Sequence, residues 1–187
     1  MQAQTAVVPA PSLAARRALA VVLGATLVAI AAQIAVPLPG TPVPLTLQPL
    51  AVLVVGGLLG ARLGAGSLVL YLSLGAAGLP VFTPYGLPGV ARLLGPTGGY
   101  LLAYPFAAYA VGRLTGDGRR WTRVALAVLA GLALIHLGGL VQLGILTGSL
   151  SDAARFGTLP FLVSDLLKLV IAVLILRPSV SPLRARL

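Results

Sequence analysis

Charge is nearly absent from six stretches of this chain, and each is long enough to cross the ~30 Å hydrocarbon core of a bilayer. They run near residues 18–36, 45–60, 63–79, 93–112, 124–147 and 156–176, and the first five contain no Asp, Glu, Lys or Arg. In lipid the backbone must satisfy its own N–H and C=O groups, so an apolar run of this kind becomes a helix. Only 9% of the 187 residues are charged, where a soluble domain carries about 25%. The expected fold class is all-α, an integral membrane bundle of six transmembrane helices. The second and third runs are parted only by Ala61 and Arg62. Gly56, Gly57, Gly60, Gly64 and Gly66 around that junction predict a tight turn rather than one long helix.

One bundle accounts for the length. The expected organisation is a single transmembrane domain over residues 1–187: a tail at 1–17, the six-span bundle at 18–176 and a second tail at 177–187. With six spans, Arg16, Arg17, Arg62, Arg113, Arg119, Arg120, Arg123, Arg177, Arg184 and Arg186 share one side, and only Arg92 and Arg155 fall on the other. The positive-inside rule then puts both termini in the cytoplasm. Arg16-Arg17 ahead of an apolar run also suits a signal peptide, but with five further spans behind it a retained first helix is the expectation. The excess of +10 is accounted for by topology and does not call for nucleic acid.

The absence of cysteine removes disulfides, thiolate metal sites and cysteine nucleophiles. One histidine and no glutamate leave too few ligands for a metal centre, and no cofactor is expected. A P-loop needs a glycine-rich turn ending in Gly-Lys-Ser/Thr. The sole lysine, Lys168, instead follows Ser-Asp-Leu-Leu. Energy for active transport must therefore come from another subunit or an ion gradient.

Two connections on the arginine-poor side are unusual. Residues 37–44 read Pro-Leu-Pro-Gly-Thr-Pro-Val-Pro and cannot be helical. Residues 80–96, between the third and fourth helices, hold Phe82, Thr83, Tyr85 and Arg92 among prolines and glycines, too apolar a mixture for a solvated loop. They are expected to fold back as a lid over the mouth of the bundle, where irregular backbone is tolerated if it lines a cavity.

The sixth run contains Asp165 and Lys168. Charge inside a membrane span costs at least ~2.5–3.5 kcal/mol per group and marks a polar pathway or ligand site by default. Residues three apart share a helix face, so the two can partly neutralise each other. The competing reading is a structural pair that fastens the sixth helix to a neighbour. Arg92, Gln48 and Tyr85 are candidates to converge on the same half of the bundle. A carboxylate only accepts hydrogen bonds, while Lys and Arg only donate. Together they suit a ligand with N–H donors at one end and a carboxylate at the other.

Gly95-Pro96-Thr97-Gly98-Gly99-Tyr100 opens the fourth span. Its glycines allow close approach of a ligand to a helix N-terminus or of a second helix, and both readings stay open. His136, mid-span beside Gly138 and Gly139, reads as a hydrogen-bonded packing residue. Ser164 with Lys168 one turn on resembles a Ser/Lys hydrolase pair, but no oxyanion motif accompanies it and no enzymatic activity is expected. Ala18, Ala25, Ala29 and Ala32 recur on one face of the first span. As small residues they are candidates for the contact with a partner subunit.

Several of these segments together resemble the BioY family. They are Ala32-Gln33-Ile34, Pro42-Val43-Pro44-Leu45-Thr46-Leu47-Gln48, Gly78-Leu79-Pro80-Val81-Phe82, Gly95 through Leu101, and Asp165 with Lys168, and the likeness covers about residues 20–176. Members of the family are the substrate-binding S components of energy-coupling-factor (ECF) biotin transporters. The resemblance implies a six-helix S-component fold in a prokaryotic cytoplasmic membrane. It also implies a high-affinity biotin site near the outer face and a partner module of a transmembrane scaffold (T component) with two ATPases. On that resemblance Asp165 accepts the ureido N–H groups and Lys168 and Arg92 balance the valerate carboxylate. Gln48, Tyr85, Thr97 and Gly98 are further binding candidates. Gln142 departs from the pattern, standing where an aromatic residue is expected. The alternative is a stand-alone secondary transporter of a small carboxylate-bearing vitamin, coupled to protons through Asp165.

Overall fold

The computed structural model describes residues 12–187, and helices dominate it. Helix α1 spans Leu13–Gln33, α2 Gln48–Leu59, α3 Ala61–Ala76, α4 Val90–Leu94, α5 Gly98–Leu114, α6 Trp121–Thr147, α7 Leu150–Gly157 and α8 Leu162–Arg184, with a 3-10 turn at Leu159–Phe161 before α8. Six of these helices correspond to the six apolar runs. Residues 13–17 and 177–184, expected as tails, continue α1 and α8. The rest of the expected first tail, residues 1–11, lies outside the described residues.

Length divides the helices. By composition and length, α1, α6 and the α7–α8 stretch Leu150–Arg184 can each cross a membrane unaided. At 1.5 Å per residue the 12 residues of α2 reach only ~18 Å. This helix lies inside the bundle against α1, α3, α5 and α8, and eight of its residues are buried. Surrounded by other helices, it need not meet lipid at both ends. The Gly60 junction is the predicted turn, with φ of 82°, a left-handed value that glycine adopts without steric cost.

Contacts join the four arginine-bearing segments at one end. Arg17 Nε donates to the Leu187 carbonyl at 2.8 Å. Arg184 Nη1 and Nη2 donate to the carbonyls of Gly116 (2.8 Å) and Gly112 (3.0 Å), and Nη2 also to that of Gly57. One guanidinium thus serves carbonyls at the C-terminal ends of α2 and α5, which have no intrahelical partner. Helices α5 and α6 pack closely because Gly99 faces Gly138. A Cβ on either would overlap the other's carbonyl oxygen.

The alanine stripe of α1 faces inward. Ala25 and Ala32 are buried in this chain's own core and Ala29 packs against it. Only Ala18, beyond the covered part of the helix, is exposed. Most of the stripe is therefore used up by intrachain packing, and the face left open carries Leu19, Leu23 and Leu27.

At the opposite end, residues 34–47 form a small hairpin. Strand β1 (Ala35–Val36) pairs antiparallel with β2 (Leu45–Thr46), Ala35 opposite Thr46. The 77–97 connection folds back, as its composition predicts. Phe82 inserts against Tyr71, ring centroids 5.5 Å apart and edge to face, and Gln33 Nε2 donates to the Phe82 carbonyl at 3.1 Å.

Candidate functional site

The sixth run is not one continuous helix, and the break builds the site. Gly157 ends α7, Pro160 lies in the 3-10 turn, and α8 starts afresh at Leu162. Asp165 therefore sits in the first turn of a new helix, where the positive end of the helix dipole favours a carboxylate. Lys168 Nζ donates to Asp165 Oδ1 at 2.9 Å and lies 3.4 Å from Ser164 Oγ.

A third ionisable group completes the cluster. His136, from the middle of α6, places Nε2 2.6 Å from Asp165 Oδ2. An ionised carboxylate can only accept, so His136 donates through Nε2–H. Its Nδ1 is buried and has no protein partner. The ring also meets Tyr100 edge to face at 6.2 Å between centroids. Side-chain exposures of 7% for Lys168, 10% for Asp165 and 16% for His136 put the cluster out of bulk water.

These three residues line a cavity at the end away from the arginine cluster. Its apolar wall includes Val43, Pro44, Phe82, Leu101, Ile135 and Phe161, and its other polar lining residues include Thr46, Gln48, Thr83, Thr97 and Tyr100. Gln48 Nε2 donates to Tyr71 Oη at 2.6 Å, and the Thr46 hydroxyl approaches Gln48 Oε1 at 3.4 Å. The free volume is about 50 Å³, well below the ~300–1,000 Å³ of ligand pockets. Ligand entry therefore requires the walls to move apart.

The hairpin supplies Val43, Pro44 and Thr46 to those walls, and the 77–97 connection supplies Phe82, Thr83 and Thr97. Thr41 Oγ1 donates to the Phe156 carbonyl at 2.6 Å, tying the hairpin to α7. Tyr100 Oη donates to the Gly157 carbonyl at 2.6 Å, tying α7 to α5.

Of the residues singled out from sequence, Asp165, Lys168, Gln48 and Thr97 come together around the cavity. Arg92, Tyr85 and Gly98 do not. Arg92 is buried inside its own loop, donating to the Thr83 hydroxyl (3.0 Å), the Thr83 carbonyl (2.8 Å) and the Leu87 carbonyl (2.9 Å). It holds the lid in shape and reaches the cavity only through Thr83. Tyr85 is 47% exposed. Gly98 is packed against the Leu93 carbonyl and Gln142, where a Cβ has no room. The glycines of this segment thus serve packing, and its cavity-facing groups are Thr97 and Tyr100. Gln142 faces away from the cavity, donating to the carbonyls of Leu93 (3.0 Å) and Gly95 (2.7 Å) at the end of α4. A ligand-stacking aromatic at that position has no place in this arrangement.

His136, read from the sequence as a hydrogen-bonded packing residue, is hydrogen-bonded and packed on Tyr100, but its place beside the Asp165 carboxylate was not legible. Its partner lies 29 positions away on another helix, and no spacing rule connects them.

The BioY family model matches residues 2–185. A probable biotin transporter of Pyrococcus horikoshii is 42% identical over 155 residues, which are 83% of this chain and 90% of that protein. The biotin transporter of Thermotoga maritima is 36% identical over 149 residues, 80% of this chain and 86% of that one. Among solved structures, the biotin S component of an ECF-type ABC transporter superposes with a TM-score of 0.81 at 27% identity, covering 90% of this chain and 94% of that chain.

Proposed function

Because the chain belongs to the BioY family, we propose that it takes up biotin as the S component of an ECF-type ABC transporter. The observation that carries this reading is a single carboxylate held by a lysine and a histidine in a lidded cavity whose remaining walls combine apolar side chains with a few uncharged polar ones. Biotin carries two ureido N–H donors on an apolar bicycle, with an alkyl chain ending in a carboxylate. Asp165 accepts the N–H groups. Phe82, Leu101, Ile135 and Phe161 cover the bicycle and chain. Lys168, the one Lys or Arg among the lining residues, lies 2.9 Å from Asp165 and so serves the same end of the ligand, keeping the Asp165 carboxylate ionised, and Gln48 and Thr97 add polar contacts.

The chain has no nucleotide-binding motif, so as an S component it draws its energy from partner subunits, a scaffold and two ATPases. The arginine-rich end faces the cytoplasm of a prokaryotic cell, with both termini inside, and the lidded cavity opens outward.

Isothermal titration with biotin tests binding, and a flat titration refutes it. Reconstitution tests the energy source. The lone chain in liposomes binds biotin without accumulating it, and added scaffold and ATPase subunits with internal ATP restore accumulation. Uptake driven by a proton gradient through the lone chain overturns the S-component reading in favour of a coupled carrier.

A further inference from the structure

One buried hydroxyl in the lidded cavity has nothing to bond. Tyr104 lies on α5 four residues after Tyr100 and three after Leu101, so it shares the helix face that these two present to the cavity. Its side chain is only 3% exposed. The hydroxyls of Thr46, Thr83 and Tyr100, which also line the cavity, are engaged by Gln48, Arg92 and the Gly157 carbonyl. The Tyr104 hydroxyl makes no hydrogen bond among the described residues. Neither does that of Thr97, but Thr97 is only half-buried, just ahead of α5. His136 Nδ1 is unpartnered and sealed off, whereas the Tyr104 hydroxyl keeps accessible surface, and the cavity is the open space beside it.

Tyr104 and Lys168 each stand six residues after the start of their helices, Gly98 of α5 and Leu162 of α8. At 1.5 Å per residue each lies ~9 Å along its helix from the lidded end, so the two belong to the deep part of the cavity. Asp165 stands one turn nearer the lid than Lys168, and its charge reaches the Tyr104 phenol.

We propose that the Tyr104 hydroxyl donates to the ureido carbonyl of the ligand and makes the site selective for a urea. The proposal rests on the biotin reading above. A cyclic urea shows two N–H donors and, between them, one C=O acceptor along a single edge. Asp165 answers the N–H groups. A carboxylate only accepts, so it cannot answer the carbonyl, and a carbonyl buried without a donor weakens binding. Lys168 faces the same edge, but a carbonyl oxygen has two lone pairs and so has room for a second donor. Plain core packing uses the Tyr104 ring and leaves its hydroxyl without a role.

The test is isothermal titration of the intact protein with biotin and with its thiourea analogue, in which sulfur replaces the ureido oxygen and both N–H groups remain. Sulfur is a weak acceptor, so the wild type binds biotin more tightly than the analogue. Tyr104→Phe removes the hydroxyl alone. It weakens biotin about tenfold, the worth of a hydrogen bond whose carbonyl stays buried. The analogue changes by less than about twofold, having little hydrogen bond to lose. An equal loss for both ligands assigns Tyr104 to packing and overturns the proposal, as does unchanged biotin affinity in Tyr104→Phe. Equal affinities of the wild type for the two ligands overturn it without recourse to a variant. A wild type that binds neither ligand takes down the biotin reading, and this proposal with it.

Discussion

The carboxylate of Asp165 has two holders, and removing them singly and together measures what each does for biotin binding. Lys168→Met removes the 2.9 Å ammonium contact with little change of volume. Breaking a buried ion pair costs ~3–5 kcal/mol. Because His136 still donates to the other oxygen at 2.6 Å, the low end applies. That cost falls on the stability of the folded protein, while loss of the contact Lys168 itself makes with the ligand, ~1.5–3 kcal/mol for a hydrogen bond to a charged group, corresponds to a roughly tenfold to hundredfold weaker Kd. His136→Phe keeps the ring contact with Tyr100 and deletes one hydrogen bond to a charged group, worth ~1.5–3 kcal/mol. At 16% exposure water recovers part of that, so the expected loss is about tenfold. Each single variant leaves the other donor in place. The double variant therefore loses more than the two singles summed, by ~0.5–3 kcal/mol, as for residues that share a partner. Isothermal titration with biotin gives the four affinities, and a thermal melt in detergent shows that each variant is folded. Unchanged affinity in Lys168→Met, or strict additivity across the cycle, refutes the shared-carboxylate site.

Gly138→Ala puts a methyl group against the Gly99 carbonyl and Ala103 Cβ, and overpacking of ~1–3 kcal/mol lowers the melting temperature by roughly 2–12 °C; an unchanged melt means α5 and α6 do not meet there. The lid should order on binding, because about 50 Å³ does not admit a ligand without movement. Hydrogen exchange at residues 83–90 is expected to slow when biotin is added, and equal exchange with and without it makes the loop passive. A reporter active only outside the cytoplasm, fused after Leu187, should stay silent; strong activity reverses the orientation read from the arginines.

Hydropathy and charge carried the coarse architecture, and the reason is the solvent. Lipid leaves an apolar run no choice but helix, and arginine beside each run records the end at which it sits. Hence six helices, the Gly60 turn and the folded-back 80–96 segment were all legible in one dimension. The carboxylate–lysine pair was legible too, since an i, i+3 contact within one helix is local.

Everything that depends on which helix faces which was decided by the tertiary structure. The His136–Asp165 contact joins α6 to α8, and nothing local to either residue announces the other. Arg92 looked like a ligand group because it is charged and near the mouth, yet its guanidinium is consumed by Thr83 and Leu87 of its own loop. The α1 alanines looked like a partner surface because they are small, and smallness served α1 equally well against its own bundle. The glycines at 98 and 99 allowed both a ligand and a helix to approach, and the packing of α4 and α6 filled that space. Sequence records what a residue is able to do. Which of those capacities is used depends on the neighbour that the fold brings within about 3 Å.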